Sequence, residues 1–282
     1  MNNLRRTTQL FMLLAGLPVV VYAVFASASW MEPIRYPDTA VFLKCGSAEG
    51  FQQLLVCGRP ITAALMYRAF GNDPDAIILF QTVVALAAWI FTAASVSFFA
   101  QRLITRIVAF NAVMAVYVLF GFHTLNSALM ADSLGASLTV VLIGFAALYV
   151  RTGRYLWMLI LVFIAWANVR DTNAWAALSI AETCVAVSLV YKSSRQRYAA
   201  IALAAALSAI PFFVIDAATA SLGVHQRWVF PFFNNIGQRI LTDPEATRFF
   251  EDRGMPVSEA LRSRAGTWGV ERRLVFLQIA RA

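Results

Sequence analysis

Six ionisable residues stand in or beside long apolar runs of this chain: Asp38, Asp132, Arg170, Asp171, Glu182 and Asp216. Asp38 lies in Tyr36-Pro37-Asp38-Thr39, shortly after an apolar run, and Pro37 restricts the backbone beside the carboxylate. Asp132 opens another run, Arg170 and Asp171 separate two more, and Asp216 closes a fourth. If these runs cross a bilayer, Asp38, Asp132, Arg170, Asp171 and Asp216 fall at one membrane level. An ionisable group there costs on the order of a few kcal/mol unless it meets water or a partner, so several at one level point to a polar pocket. The plainer alternatives are a solvated loop acid for Asp38 and a helix-end ion pair of Arg170 with Asp132 or Asp171. Glu182, in the middle of its run, reads as a buried, hydrogen-bonded structural acid or as part of a polar path. His123 and His225 share no ligand spacing, so they read as lone interfacial histidines. Trp228, Phe230, Phe232 and Phe233 read as an aromatic belt at the membrane interface, with a lipid-tail groove as the alternative.

The elements that must position these residues follow from composition. Apolar residues make up 60% of the 282 and charged residues 13%, too few charges to cover a soluble body of this size. Charge-free or nearly charge-free runs cover 7–31, 76–101, 107–131, 133–150, 155–169, 172–191 and 198–215. A bilayer core needs about 20 helical residues, so the pattern predicts an all-α polytopic membrane protein with about seven transmembrane helices. The third and fourth runs read as a tight hairpin and the fifth as short or tilted. On this topology the cytoplasmic segments hold Arg5, Arg6, Arg102, Arg106, Arg151, Arg154, Lys192, Arg195 and Arg197 and no acid. That is the positive-inside pattern: inner-membrane location, N-terminus in the cytoplasm, active face outside. The first run is long enough to be a retained anchor rather than a cleaved signal. The net charge of +8 is thereby accounted for, and nucleic acid is not an expected partner.

Two regions outside the cytoplasm are large enough to carry function. The first, 32–75, holds two short amphipathic patterns, Phe51/Leu54/Leu55 and Ile61/Leu65/Met66/Phe70, the latter behind Pro60 at a first helical position; these predict interfacial helices. Cys45 and Cys57 share this loop, where a disulfide is allowed, whereas Cys184 falls in a span. The second region, 221–282, follows a transmembrane module of 1–220 and reads as a partly folded loop or cap.

Four stretches resemble the polytopic GT-C superfamily of glycosyltransferases, the lipid-phosphosugar-dependent enzymes that include protein mannosyltransferases and lipid A aminoarabinose transferases. They are Tyr36-Pro37-Asp38-Thr39, Gly58-Arg59-Pro60-Ile61-Thr62-Ala63-Ala64-Leu65, Asn126-Ser-Ala-Leu-Met-Ala-Asp-Ser-Leu134 and Arg170-Asp171-Thr172-Asn173. Their order, spacing and membrane side are similar to that family over the first 220 residues or so. The resemblance implies a membrane glycosyltransferase that moves a sugar from a polyprenyl-phosphate donor to a glycan, lipid or protein acceptor. Asp38 would be the general base of an inverting transfer, and Arg59, Arg170, Arg227 and Arg239 would bind the donor phosphate. Asp132, Asp171, Asp216 and Tyr36 would line the substrate pocket. The resemblance fixes no cofactor, and a divalent cation is an allowed addition. Departures from the family pattern are the single acid at Asp38, with Glu49 the next, and Ile61-Thr62-Ala63 in place of a Pro- and Tyr-containing continuation. Family members usually have nine or more spans, so a truncated product, a fragment or a short relative is expected. A transporter or flippase of lipid-linked sugar, or a non-catalytic membrane subunit, is the alternative.

Overall fold

The computed structural model describes residues 2–36, 38–55, 57, 59–221, 236–254, 257, 259–263 and 265–266. Among them the regular elements are helices, with one isolated bridge pairing Ile34 and Ala128. The chain divides into two compact units, Met1–Ile215 and Asp216–Ala282.

The first unit opens with α1 (Asn2–Ala28), followed by three short helices, α2 (Thr39–Gly46), α3 (Phe51–Leu55) and α4 (Ile61–Ala69). Then come α5 (Pro74–Ser97), α6 (Leu103–Leu119), a 3-10 helix (Phe122–Ser127), α7 (Asp132–Thr152), α8 (Leu156–Ala167), α9 (Asp171–Val190) and α10 (Arg195–Ser221). Four stretches are long and apolar enough to cross a bilayer, which makes this a membrane protein: Pro74–Ser97, Asp132–Thr152, Asp171–Val190 and Lys192–Ala218. Among the described residues the other three expected spans coincide with shorter apolar stretches, Ala15–Ala28, Leu103–Leu119 and Leu156–Ala167, so four spans are supported and the remaining three are not confirmed. Pro18 and Pro211 stand inside α1 and α10, which continue across them.

Lipid-like surroundings are written on the surface. Leu79 and Val83 of α5, Ile104 and Val108 of α6, Trp157 and Leu161 of α8, and Leu203, Leu207 and Val214 of α10 are each at least half exposed. Water would penalise such stripes, while hydrocarbon does not. The interior meanwhile accepts small and polar residues. Thr92 Oγ1 donates to Val140 O at 2.6 Å, and Gly144 lets α5 approach α7 so closely that an added Cβ would lie 2.7 Å from the Phe91 ring.

The helix ends sort by charge. At one end Arg151 donates to Phe99 O at 3.3 Å, Arg197 donates to Val150 O, and Arg106 donates to Ala100 O at 2.7 Å. At the other end Arg170 pairs with Asp132, and Thr62 N–H donates to Asn168 O at 3.0 Å. Successive helices from α5 to α10 therefore run alternately between a basic end and an end that carries Asp132 and Asp171.

Several expectations need correction. The third and fourth apolar runs do not form a tight hairpin, since α6 stops at Leu119 and Gly121 turns the chain with φ +70, open to glycine. The segment that follows crosses to the first loop, and α5 packs along both α6 and α7. Pro60 precedes α4 as its N-cap instead of occupying the first turn. The buried face of α4 is Ala63, Ala64, Met66 and Tyr67, while Leu65 is 44% exposed, because the helix packs on α2, which no amphipathic pattern announced. Glu182 is exposed on α9, not buried; the inward stripe of that helix is Ala174, Ala177, Ala181 and Ser188.

Asn168 ties three elements together. Its Nδ2 donates to Ile164 O at 2.8 Å and Ser208 O at 3.2 Å, and its own carbonyl takes the Thr62 N–H. Asn168→Leu keeps most of the volume but removes the side-chain bonds to the Ile164 and Ser208 carbonyls. A loss of about 1–3 kcal/mol is expected in denaturant unfolding of the detergent-solubilised protein; an unchanged midpoint would refute the tie.

In the second unit, a π-helical turn (Ile236–Ile240) leads to α11 (Pro244–Glu251) and α12 (Glu259–Arg262). Asp243 caps α11 by accepting from Glu245 and Ala246 N–H groups, and Arg262 pairs with Glu251.

Candidate functional site

The turn that carries Asp38 is built by Thr39. Its Oγ1 accepts from Tyr36 N–H at 2.9 Å and donates to Leu129 O at 3.0 Å, while its own N–H donates to Tyr36 O at 2.9 Å. One buried hydroxyl thus closes the turn and fastens it to the chain just before α7. The backbone adds a second tether, since Ile34 N–H donates to Ser127 O at 2.8 Å and Leu129 N–H to Ile34 O at 3.0 Å. These bonds bring the loop of residues 32–75 beside the segment leading to Asp132.

Asp38 itself meets Arg59, whose Nη2 lies 2.7 Å from Oδ1. The carboxylate side chain is 51% exposed and the guanidinium 24%, so the pair is open on the Asp38 side. Arg59 is held by more than charge. Its Cζ sits 4.8 Å over the Phe42 ring, and Phe42 also stacks on Tyr67 with centroids 5.4 Å apart. Burial pushes the Tyr67 phenol well above its ordinary value, so it stays neutral, and its hydroxyl has no hydrogen-bond partner among the described residues.

A second carboxylate–guanidinium pair joins Asp132, the first residue of α7, to Arg170, which precedes α9. Gly135 lies beside it: an added Cβ would be in van der Waals contact with Arg170 Cδ at 3.4 Å. Both pairs flank one buried apolar cluster that includes Phe42, Ala63, Met66, Tyr67, Leu129, Ala131, Leu134 and Val169. Residues from four distant stretches of sequence thereby share one floor. Below it, a buried polar chain runs from Ser133 Oγ to Asn126 Oδ1 at 2.7 Å, from Asn126 Nδ2 to Tyr117 Oη at 3.1 Å, and on to Ser27 Oγ at 2.7 Å. It braces the segment before Asp132 against α1 and α6.

The remaining expected site residues are placed as follows. Tyr36 is 45% exposed beside Asp38, and Asp171 is partly buried in the first turn of α9. Asp216 is partly buried near the end of α10, and Arg239 lies in the π-helical turn of the second unit. Arg227 and Pro37 lie outside the described residues, as do His225 and the aromatic cluster Trp228 to Phe233. Among the described residues no three of His, Cys, Asp or Glu gather as a metal site would require. Thr39, Phe42 and Asn168 are the contributors that sequence reasoning missed. A Thr directly after the acid was the only available signal, since such residues commonly bond a backbone group nearby.

Thr39→Val preserves shape and removes both hydroxyl bonds. A loss of roughly 1–3 kcal/mol is expected, measured by thermal unfolding in detergent, with Thr39→Ser retaining most of the stability; equal losses for Val and Ser would mean that packing, not the hydroxyl, holds the turn.

Comparison of the chain with protein-family models, with curated proteins and with solved structures finds no match.

Proposed function

We propose that the chain is a membrane glycosyltransferase of the GT-C kind, taking a sugar from a polyprenyl-phosphate donor and passing it to an acceptor outside the cytoplasm. The observation that supports this most is the convergence of Asp38, Arg59, Asp132 and Arg170 around one apolar floor, as two carboxylate–guanidinium pairs. Transfer from a lipid phosphate needs an exposed base, cations for a leaving phosphate, and an apolar bed for the lipid. Asp38 supplies the first, Arg59 and Arg170 the second, and the outward faces of the helices the third.

In the reaction, the Asp38 carboxylate takes the proton of an acceptor hydroxyl as its oxygen attacks the anomeric carbon. The bond from that carbon to the phosphate oxygen breaks on the opposite face, so configuration inverts and the electron pair leaves with the phosphate. Arg59 and Arg170 bind the phosphate oxygens in bidentate fashion, giving up part of their hold on Asp38 and Asp132. A divalent cation is an optional addition.

The topology we propose for this activity has seven spans, with the N-terminus in the cytoplasm of an inner membrane. It draws support from the alternation of α5 to α10 between a basic and an acidic end, which asks the shorter α6 and α8 to cross the same layer as their neighbours. At 1.5 Å per residue α8 is roughly 18 Å long, so the bilayer would thin beside it. The Cys45–Cys57 disulfide supports an extracytoplasmic first loop, since such bonds persist in oxidising compartments. A transporter would ask for helices interrupted at matching depths, and α1 and α10 continue through Pro18 and Pro211.

The test is transfer of radiolabelled sugar from a panel of polyprenyl-phosphate sugars in membranes containing the chain. Label moving to an acceptor in a donor-dependent manner is the expected result. Uptake of the labelled lipid across the membrane without glycosidic transfer would favour the flippase instead.

A further inference from the structure

Helix α9 presents a face that its own neighbours do not cover. Of its apolar window 22% is buried, against 50, 44 and 39% for the other three long stretches. The buried side is an alanine stripe, Ala174, Ala177 and Ala181, packed in the same core as residues of α8 and α10. The opposite side carries Thr172, Trp175, Ser179, Glu182, Thr183 and Ala186, all exposed. Beside them a shallow groove is lined by Ala176, Ser179, Ile180, Thr183 and Cys184.

Glu182 makes this face unlike an ordinary lipid-facing surface. It is near the middle of a 20-residue helix, roughly 16 Å from the first residue at 1.5 Å rise, which puts the carboxylate near the bilayer centre rather than at a headgroup. Its length does not let it snorkel as a lysine would. Among the described residues none pairs with it. Ser179 and Thr183, one turn apart on the same side, spend their hydroxyl protons on the backbone, donating to Trp175 O at 3.4 Å and Ser179 O at 2.8 Å, so neither neutralises the charge. An acid held at that depth calls for a complementary group brought by another membrane segment. The narrow side chains around it let a second helix come close enough to deliver one.

We propose that the outward face of α9 is a docking surface for a transmembrane helix of another protein that carries a lysine or arginine at mid-depth, paired with Glu182. Charge complementarity selects this occupant over a second copy of the chain, which would set two carboxylates against each other. The proposal rests on the membrane character of α9 and not on the transferase reading, so the two fail separately.

Cys184 packs toward the alanine-stripe core, about 200° round the helix from Glu182. The reporter is therefore Ala186→Cys, one turn from Glu182 on the exposed face, in a Cys184→Ala background, with Cys45 and Cys57 joined to each other. The full chain is reconstituted in bicelles with synthetic Leu/Ala transmembrane peptides of about 20 residues, each with one cysteine beside a central Lys or a central Leu. Copper-phenanthroline oxidation then reports proximity to the thiol at position 186. The Lys peptide is expected to cross-link about tenfold more than the Leu peptide, with Glu182→Gln reducing it to the Leu level and Glu182→Asp retaining most of it. Equal cross-linking of the two peptides, or a Lys preference that survives Glu182→Gln, would overturn the proposal. Disulfide dimers of the chain through position 186 that disappear in Glu182→Gln would overturn it in favour of a second copy, and no cross-linking of either peptide would overturn it as a face closed to a second helix.

Discussion

Asp38→Asn is expected to lower turnover of the proposed sugar transfer by about 10²–10⁴-fold, with little change in the KM for the proposed lipid-phosphate donor. The amide has nearly the same shape and can still accept from Arg59, so the turn built by Thr39 should survive. What disappears is the capacity to take a proton from the acceptor hydroxyl. Arg59→Gln should behave differently. It removes a phosphate ligand and a group that steadies the carboxylate, so the donor KM should rise and turnover should fall together. Because the two side chains touch, the double variant should lose less than the product of the single losses. Asp38→Asn that keeps activity to within a factor of about three would make Asp38 a structural partner of Arg59 and remove it as the base.

The second large effect concerns the Cys45–Cys57 disulfide, which closes a loop with a sequence separation of 12 residues between α2 and the approach to α4. The chain-entropy account gives about 3 kcal/mol for a ring of this size. Replacing both cysteines by serine should therefore destabilise the loop by about that amount, and a reducing agent should do the same to the wild type but not to the variant. The bond also tests the topology. Maleimide-polyethylene glycol added to denatured protein from non-reduced membranes should label one thiol, Cys184, and three after reduction. Three labels before reduction would place this loop on the reducing side and reverse the proposed orientation.

Much of the membrane frame was legible because lipid imposes a simple code on a chain. The long apolar runs became helix over most of their length, with 107–131 the exception, and the basic loops fell at one end of the bundle, where Arg151 and Arg197 cap neighbouring carbonyls. The pairing of Arg170 with Asp132 was foreseeable as a helix-end ion pair. The pairing of Arg59 with Asp38 was not, since it depends on how α2 and α4 pack, and α2 carries no period that separates it from loop. Gly121 ended α6 twelve residues before the apolar run did, because hydropathy does not register a left-handed turn. Glu182 shows the same blindness from another side: the sequence of α9 contains alanine and hydroxyl residues all round, so its inward face could be found only from its neighbours.

The tether from Thr39 to Leu129 spans 90 residues, as does the bond from Ser27 to Tyr117. A ribosome adding about 5–20 residues per second needs on the order of 5–20 s to supply the second partner of each. During that interval the first loop is already outside on the proposed topology, with its acid and its arginine in place but nothing to dock against. Assembly of this face is therefore a late event in the birth of the chain, and a nascent protein arrested before residue 129 would display Asp38 and Arg59 without their floor.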